Sequence, residues 1–100
     1  MPDLTSKQRA HLRGLAHSLK PTVHIGKDGV TDAALDNLRE TLSGSELVKV
    51  RVLEAAPESA KATAHALAAR VDDAVVVQVM GRNATLYRPD PDEPAIRLPQ

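Results

Sequence analysis

Two glycines that enclose a lysine are the residues whose types and spacing suggest chemistry most directly. In the stretch HIGKDGVT, Gly26 and Gly29 flank Lys27 and Asp28. A Gly-x-x-Gly loop lets the backbone approach a sugar-phosphate chain closely and adopt positive φ, because neither end carries a side chain. The N–H groups that open a following helix attract the anion, and a lysine adds a point charge. Taken alone, however, such a pair more often forms only a turn between a strand and a helix.

Known nucleotide-binding loops differ from this one in defined ways. The stretch lacks the third glycine of a dinucleotide-binding fingerprint and the Gly-Lys-Ser/Thr ending of a P-loop. A glycine loop of this kind clamps backbone nucleotides in KH domains, where it joins two helices. Here TVHI precedes Gly26 and alternates as a strand does, so the sequence does not predict a KH domain.

The basic residues are concentrated near the start of the chain. Thirteen basic and thirteen acidic residues give a net charge of zero, which by itself argues against nucleic-acid binding. Residues 1–27 nevertheless hold five basic residues and one acidic residue, whereas residues 28–100 hold eight basic and twelve acidic ones. This asymmetry predicts one basic face rather than a uniformly neutral surface.

Several of those cations fall on a predicted helix. The stretch LTSKQRAHLRGLAHSLK repeats leucine and alanine at helical spacing, and Pro21 ends the pattern. On a helical wheel, one flank of the apolar stripe carries Arg9, Arg13, His17 and Lys20. Because no acidic residue stands four positions away to pair with them, this flank is either a solvated helix face or a ligand-binding stripe.

The remaining pattern completes one α/β domain with the element order α-β-α-β-α-β-β. Thr31 is a good N-cap for a second helix, and APESAKATAHALAARV has the periodicity of a third. AVVVQVM and ATLYR form a hairpin around a Gly-Arg-Asn turn. In the strand ELVKVRVLE the valines point to the core, so Lys49 and Arg51 face either solvent or a ligand.

The end of the chain has a different composition. From Pro89 onward it carries four prolines and three acidic residues. Such a segment has little apolar surface to bury and a backbone that favours extended conformations. The sequence therefore predicts a domain of residues 1–89 followed by an extended, poorly packed tail of residues 90–100.

Composition argues against several classes of function. The absence of cysteine rules out disulfides, thiol catalysis and cysteine-ligated zinc. Tyr87 is the single aromatic residue, which leaves little material for a strong protein interface or an aromatic stacking platform. The four histidines show no metal-site or catalytic spacing, so we expect no enzyme, no cofactor and no small-molecule substrate. Without a signal peptide or an apolar run of about 20 residues, we expect a cytoplasmic protein that does not contact membranes.

Three blocks of the sequence together resemble a known domain. LTSKQRAHLRGLAHSLKPTVHIGKDGVT, ELVKVRV and VMGRNATLYRP occur in the order and spacing of the CRM domain. This domain is the RNA-binding module of chloroplast splicing factors and of small stand-alone bacterial proteins similar to YhbY. The resemblance covers residues 4–89, nearly the whole chain, and is far more specific than the glycine pair.

The resemblance implies both a fold and a function. The fold is a compact α/β domain with a four-stranded mixed sheet and helices packed mainly on one face, similar to the C-terminal domain of translation initiation factor three. The function is non-enzymatic RNA binding, and the bacterial stand-alone members are linked to precursors of the large ribosomal subunit. An adaptor that binds proteins within a ribonucleoprotein or another complex, without direct RNA contact, is the alternative.

The family pattern also implies a set of RNA-contacting positions, to which the outward-facing Arg51 of the predicted strand is added. They are Gly26, Lys27, Asp28, Gly29, Lys7, Arg9, Arg13, Lys20, Lys49, Arg51 and Arg88. Two features oppose this expectation. The carboxylate of Asp28 sits where a phosphate would come, and the acidic tail would repel RNA if it folded back across the basic face.

Overall fold

The computed structural model describes residues 4–100, whose elements follow the order that the sequence predicts. They are α1 (Ser6–Ala16), β1 (Val23–Ile25), α2 (Asp32–Gly44), β2 (Leu47–Val52), α3 (Ala60–Ala69), β3 (Val75–Met80) and β4 (Asn83–Tyr87). None of these helices is long and apolar enough to cross a membrane. The predicted α/β fold is confirmed.

Helix α1 begins at a well-defined cap and ends earlier than its sequence pattern suggests. Thr5 and Gln8 form a capping box, in which each side chain accepts the backbone N–H of the other. Such a cap stabilises a helix by about 1 kcal/mol. The helix ends at Ala16, with Leu19 N–H bonded to the Ala16 carbonyl in a tight turn. Lys20, predicted on the helical flank, therefore lies beyond the helix, directly before Pro21.

The four strands form one mixed sheet in the order β1-β2-β4-β3. β1 and β2 are parallel and are joined by α2, whereas β2 pairs antiparallel with β4 and β4 antiparallel with β3. The register of β3 on β4 shifts between Val76 and Gln78, which leaves Val77 without a partner opposite it. This irregularity is a β-bulge in an edge strand.

Two of the three helices cover one face of the sheet. The core between them contains Val23, Ile25, Leu35, Leu38, Leu42, Val48, Val50, Leu67, Val71 and Leu86. Helix α1 lies on the opposite face, where Leu12 and Ala16 pack with Leu47, Val77 and Tyr87. Neighbouring residues of one strand point to opposite faces, so a single strand contributes to both cores. The expected packing mainly on one face is thus confirmed, with α1 as the helix on the other face.

The C-terminal segment is packed against the domain, so the expectation of a poorly packed tail is wrong. It has no regular secondary structure, yet Ile96 and Leu98 lie against the core under α1. The carboxylate of Glu46, only 7% exposed, holds the segment in place. Its Oε1 accepts the N–H groups of Ala95 and Ile96 at 2.8 and 2.7 Å, and its Oε2 accepts that of Asp90 at 2.6 Å.

Candidate functional site

The glycine loop is a closed turn at the end of β1. The N–H of Gly29 donates to the carbonyl of Gly26 at 3.0 Å, which places the exposed Lys27 and Asp28 at the corners. Because this N–H is bonded within the turn, it is not free for a phosphate. The turn therefore offers an anion the side chain of Lys27 rather than the N–H of Gly29.

Glycine occupies the two positions of the loop for different structural reasons. Gly29 has φ +67°, and a Cβ there would lie 3.0 Å from Cγ of Pro57. Glycine is thus required at this position by backbone conformation and by packing. At Gly26 a Cβ would meet only Cδ1 of Leu53, at an ordinary 3.9 Å. At Gly26 the absence of a side chain therefore keeps the backbone open to solvent and does not relieve a clash.

The start of α2 lies directly after the loop. Its free N–H groups and its helix dipole could attract an anion, but residues of the chain itself already use part of both. The Oγ1 of Thr31 accepts the N–H of Ala34 at 3.0 Å. Asp32 stands in the first turn, where the positive end of the helix dipole favours a carboxylate. The helix start alone is consequently a weak phosphate site, and the cations around it carry more of the attraction.

A groove of ≈ 430 Å³ joins the loop to the edge of the sheet. Its walls are formed by the loop, by His24 of β1 and by the first half of α2, including Thr31 and Asn37. His24 alternates with the buried Val23 and Ile25 and is itself exposed. The groove thus connects Lys27 with a residue of the sheet face that carries α1.

That face of the sheet carries cations beside the loop. His24 and Arg51 are register partners in the parallel pair, and both are exposed. Lys49 lies two residues before Arg51 on the same face, opposite Thr85, and is half-buried. The predicted outward orientation of Lys49 and Arg51 is confirmed. Arg51 lies opposite His24, near the loop, whereas the carbonyl of Lys49 accepts the N–H of Thr22, so Lys49 lies about 13 Å along the strand from the level of the loop.

The cations of α1 lie elsewhere. One Nη of Arg9 donates to the carbonyl oxygens of Val76 and Val77, both at 2.7 Å, at the outer edge of β3. The order of the sheet puts three inter-strand steps, about 14 Å, between this edge and β1. Lys7 lies with Nζ 3.5 Å from the carbonyl of Gln100 in the tail. The structure therefore does not bring Lys7 and Arg9 to the loop.

Arg88 also lies apart from the loop. It is half-buried after the end of β4, and its N–H donates to the carbonyl of Glu46 at 2.9 Å. The backbone N–H groups of Glu93 and Asp92 lower the pKa of Asp90, and the positive charge of Arg88 adds to this effect. Since β2 separates this end from the loop end by roughly 17 Å, the acidic residues of the tail do not cover the loop.

Sequence reasoning overlooked His24, for which only the three-residue alternation in VHI was a signal. It also overlooked Glu46, whose burial depends on contacts with residues far along the chain.

The other predicted cations, Arg13 and Lys20, are exposed. Among residues 4–100, no group of histidine and acidic side chains has the geometry to hold a metal ion.

Comparisons with known proteins give one consistent family. A model described as the CRS1 / YhbY (CRM) domain matches residues 4–88. An "RNA-binding protein" of Haemophilus influenzae is 38% identical over 100 residues, which cover 100% of this chain and 99% of the relative. The "Probable RNA-binding protein YqeI" of Bacillus subtilis is 36% identical over 96 residues, or 96% of this chain and 99% of the relative. The solution structure of the SAV1595 protein of Staphylococcus aureus superimposes with a TM-score of 0.79 at 35% identity, covering 97% of this chain and 100% of the other.

Proposed function

Because the chain belongs to the CRS1 / YhbY (CRM) domain family, we propose that it is a non-catalytic RNA-binding protein. One observation carries the proposal beyond the family. Lys27 lines the groove beside the glycine loop, and Arg51 and Lys49 lie on the neighbouring strand β2, on the same sheet face as the groove residue His24. None of the four strands contains an acidic residue, so the strands carry net positive charge although the whole chain is neutral. The exposed Glu54 after β2 offsets part of this charge and lies 3.7 Å from Arg82.

In this mechanism the RNA backbone lies along the groove and the adjoining strands. Lys27 reaches a phosphate from the corner of the turn, Lys49 reaches a second one, and the charge of Arg51 adds to the attraction. Gly26 keeps the loop backbone open, whereas Gly29 fixes the turn that presents Lys27. Asp28, beside Lys27, reduces the affinity through its charge. The exposed Arg13 and Lys20 are secondary contacts, and Lys7, Arg9 and Arg88 serve mainly the tail and the sheet edge.

The RNA that we propose is a precursor of the large ribosomal subunit. The relatives from Haemophilus influenzae and Bacillus subtilis are matched over 99% of their length, so each consists of this domain alone. This architecture supports the resemblance to the stand-alone bacterial members of the family. An adaptor that avoids RNA has less support, because Tyr87 is buried and offers no aromatic anchor for a protein partner.

RNA affinity measured against salt concentration tests the proposed contacts. We expect Lys27→Ala to bind RNA about fivefold more weakly and to lower the slope of log affinity against log salt by about 0.7. The pair Lys49→Ala with Arg51→Ala lowers the slope about twice as much, and Asp28→Asn strengthens binding. Arg97→Ala removes an exposed cation of the tail and is the matched control.

Wild-type affinity and slope in the Lys27 and Lys49/Arg51 variants would show that the RNA site lies elsewhere. Sedimentation of cell extracts tests the proposed RNA independently. We expect the protein to travel with precursors of the large subunit and the Lys27→Ala variant to shift toward the free fraction. A wild-type protein found only in free fractions would contradict the ribosomal part of the proposal while leaving RNA binding intact.

A further inference from the structure

One row of side chains crosses the whole sheet on the face that carries α1. The strand registers align His24 with Arg51, Arg51 with Asn83, and Asn83 with Met80. His24 and Arg51 are exposed, and Met80 is 66% exposed, the highest value among the large apolar residues that the structure describes. We call these four residues the open row.

The open row is not covered by a helix core on its own face. Helix α1 packs on Leu47, Val77 and Tyr87, at the other end of the same face. Helices α2 and α3 pack on the reverse face through residues such as Val50 and Leu86. What remains is a row in which His24, Arg51 and Met80 are exposed, whereas Asn83 between them is half-buried with its Oδ1 buried. The strands that carry this row contain no acidic residue.

The side chains of the open row have the chemistry that stacks on nucleobases. Imidazole and guanidinium planes both stack on unpaired bases in RNA-binding proteins, and they do so without tyrosine or phenylalanine. Met80 at one end of the row and Leu53, two residues beyond Arg51 and 39% exposed, each add apolar surface for the base faces. Leu53 lies next to Gly26, so its apolar surface adjoins the loop.

His24 links the patch to the groove. It lines the groove together with Lys27 and is also the register partner of Arg51. When one phosphate of an RNA strand lies at Lys27, the bases of the next nucleotides are therefore within reach of His24 and Arg51. Paired bases would not reach a flat surface in this way, because they are stacked inside the helix and the deep groove of duplex RNA is narrow.

We propose that the open row binds the bases of unpaired nucleotides, so that the RNA recognised by this chain is single-stranded or looped rather than duplex. The inference rests on the proposed function and deepens it. It separates two parts of the site, since Lys27 and the loop hold phosphates and the open row holds bases.

Three labelled RNA probes test the inference by fluorescence anisotropy at low salt. They are a single strand of about twelve nucleotides, the duplex of the same strand, and the same strand with its bases removed at internal positions. The variants are His24→Ala combined with Arg51→Lys, which removes both stacking planes and keeps the charge of position 51, and Lys27→Ala. All three positions are exposed, so the folded state is retained.

We expect the wild type to prefer the single strand over the duplex. The His24/Arg51 variant binds the intact single strand about tenfold more weakly but binds the abasic strand as the wild type does. Lys27→Ala weakens the binding of both strands. Wild-type affinity of the His24/Arg51 variant for the intact strand, or tighter binding of the duplex by the wild type, would overturn base contact and leave RNA binding standing. A wild type that binds none of the three probes would overturn RNA binding itself.

Discussion

A guanidinium nitrogen of Arg9 donates hydrogen bonds to the carbonyl oxygens of Val77 and of its neighbour Val76, each at 2.7 Å. Successive carbonyls of a regular strand point in opposite directions, so one donor does not normally reach both. The bulge at Val77 turns both toward the outer edge of β3. Arg9 thereby fastens α1 to the sheet and satisfies acceptors that an edge strand leaves unpaired.

Arg9 is therefore expected to matter for stability first. Arg9→Ala removes charge-assisted hydrogen bonds and leaves two partly buried carbonyls without that donor, which costs about 1.5–3 kcal/mol. Arg13→Ala, a change of equal charge on the exposed side of α1, costs less than about 0.5 kcal/mol. Denaturant titration of both variants measures the difference. Equal stabilities would show that the contact with β3 contributes nothing, and any RNA-binding defect of Arg9→Ala could then be assigned to the RNA site.

The two glycines at positions 29 and 14 should respond in opposite directions to alanine. Gly29→Ala is expected to cost about 1–2 kcal/mol, because φ is +67° and the new Cβ would press on Pro57. Gly14 lies inside α1, and a Cβ there meets no atom within 4 Å. Gly14→Ala should therefore stabilise the protein by about 0.5–1 kcal/mol. Thermal unfolding of both variants checks the pair, and a stabilised Gly29→Ala would contradict the turn geometry.

Glu46 should control the order of the C-terminal segment. Glu46→Gln replaces one of the two acceptor oxygens by a donor, so at least one of the three backbone N–H bonds is lost. We expect faster hydrogen exchange at Asp90, Ala95 or Ile96 and a loss of about 1–3 kcal/mol in the free energy of unfolding. Glu40→Gln, at an exposed helix position, is the matched control. Unchanged exchange rates in the Glu46 variant would mean that Ile96 and Leu98 alone hold the segment.

Tyr87 provides a pH-dependent signal from the same region. Burial raises the pKa of Tyr87 above its ordinary value of 10.0, and the negative charge of Glu46 raises it further. Because the folded state holds the phenol proton more tightly, the stabilisation is complete below pH 10.0 and is lost as pH rises through the higher folded pKa. Tyr87 is the only aromatic residue, so the ultraviolet absorbance of phenolate reports it alone. Glu46→Gln should lower the observed pKa, and a titration midpoint at 10.0 in the folded protein would contradict the burial.

The elements could be predicted from sequence because their signals are local. The alternation in ELVKVRV, the caps at Thr5 and Thr31 and the Gly-Arg-Asn turn each act within a few residues. The outward orientation of Lys49 and Arg51 followed from that same alternation. A family resemblance was needed to turn the glycine pair into a candidate site.

The remaining features depend on contacts between distant parts of the chain. Arg9 looked like a free helix cation, but its guanidinium reaches residues 67 and 68 positions away. Glu46 begins the stretch ELVKVRVLE without any local sign of burial, yet it binds backbone groups 44 to 50 positions away. Single-residue patterns do not encode such partners, so the packed tail and the divided basic surface became visible only in three dimensions.

The position of β2 in the sheet has a consequence for the time course of folding. Its Val50 pairs with Val23, 27 positions earlier, and with Ala84, 34 positions later, whereas β3 and β4 are joined by a short hairpin turn. Two long loops must close before the central strand gains both partners, and loop closure costs entropy before any pairing compensates for it. The capture of β2 is thus the expected rate-limiting step. Substitutions in β2 should therefore slow folding.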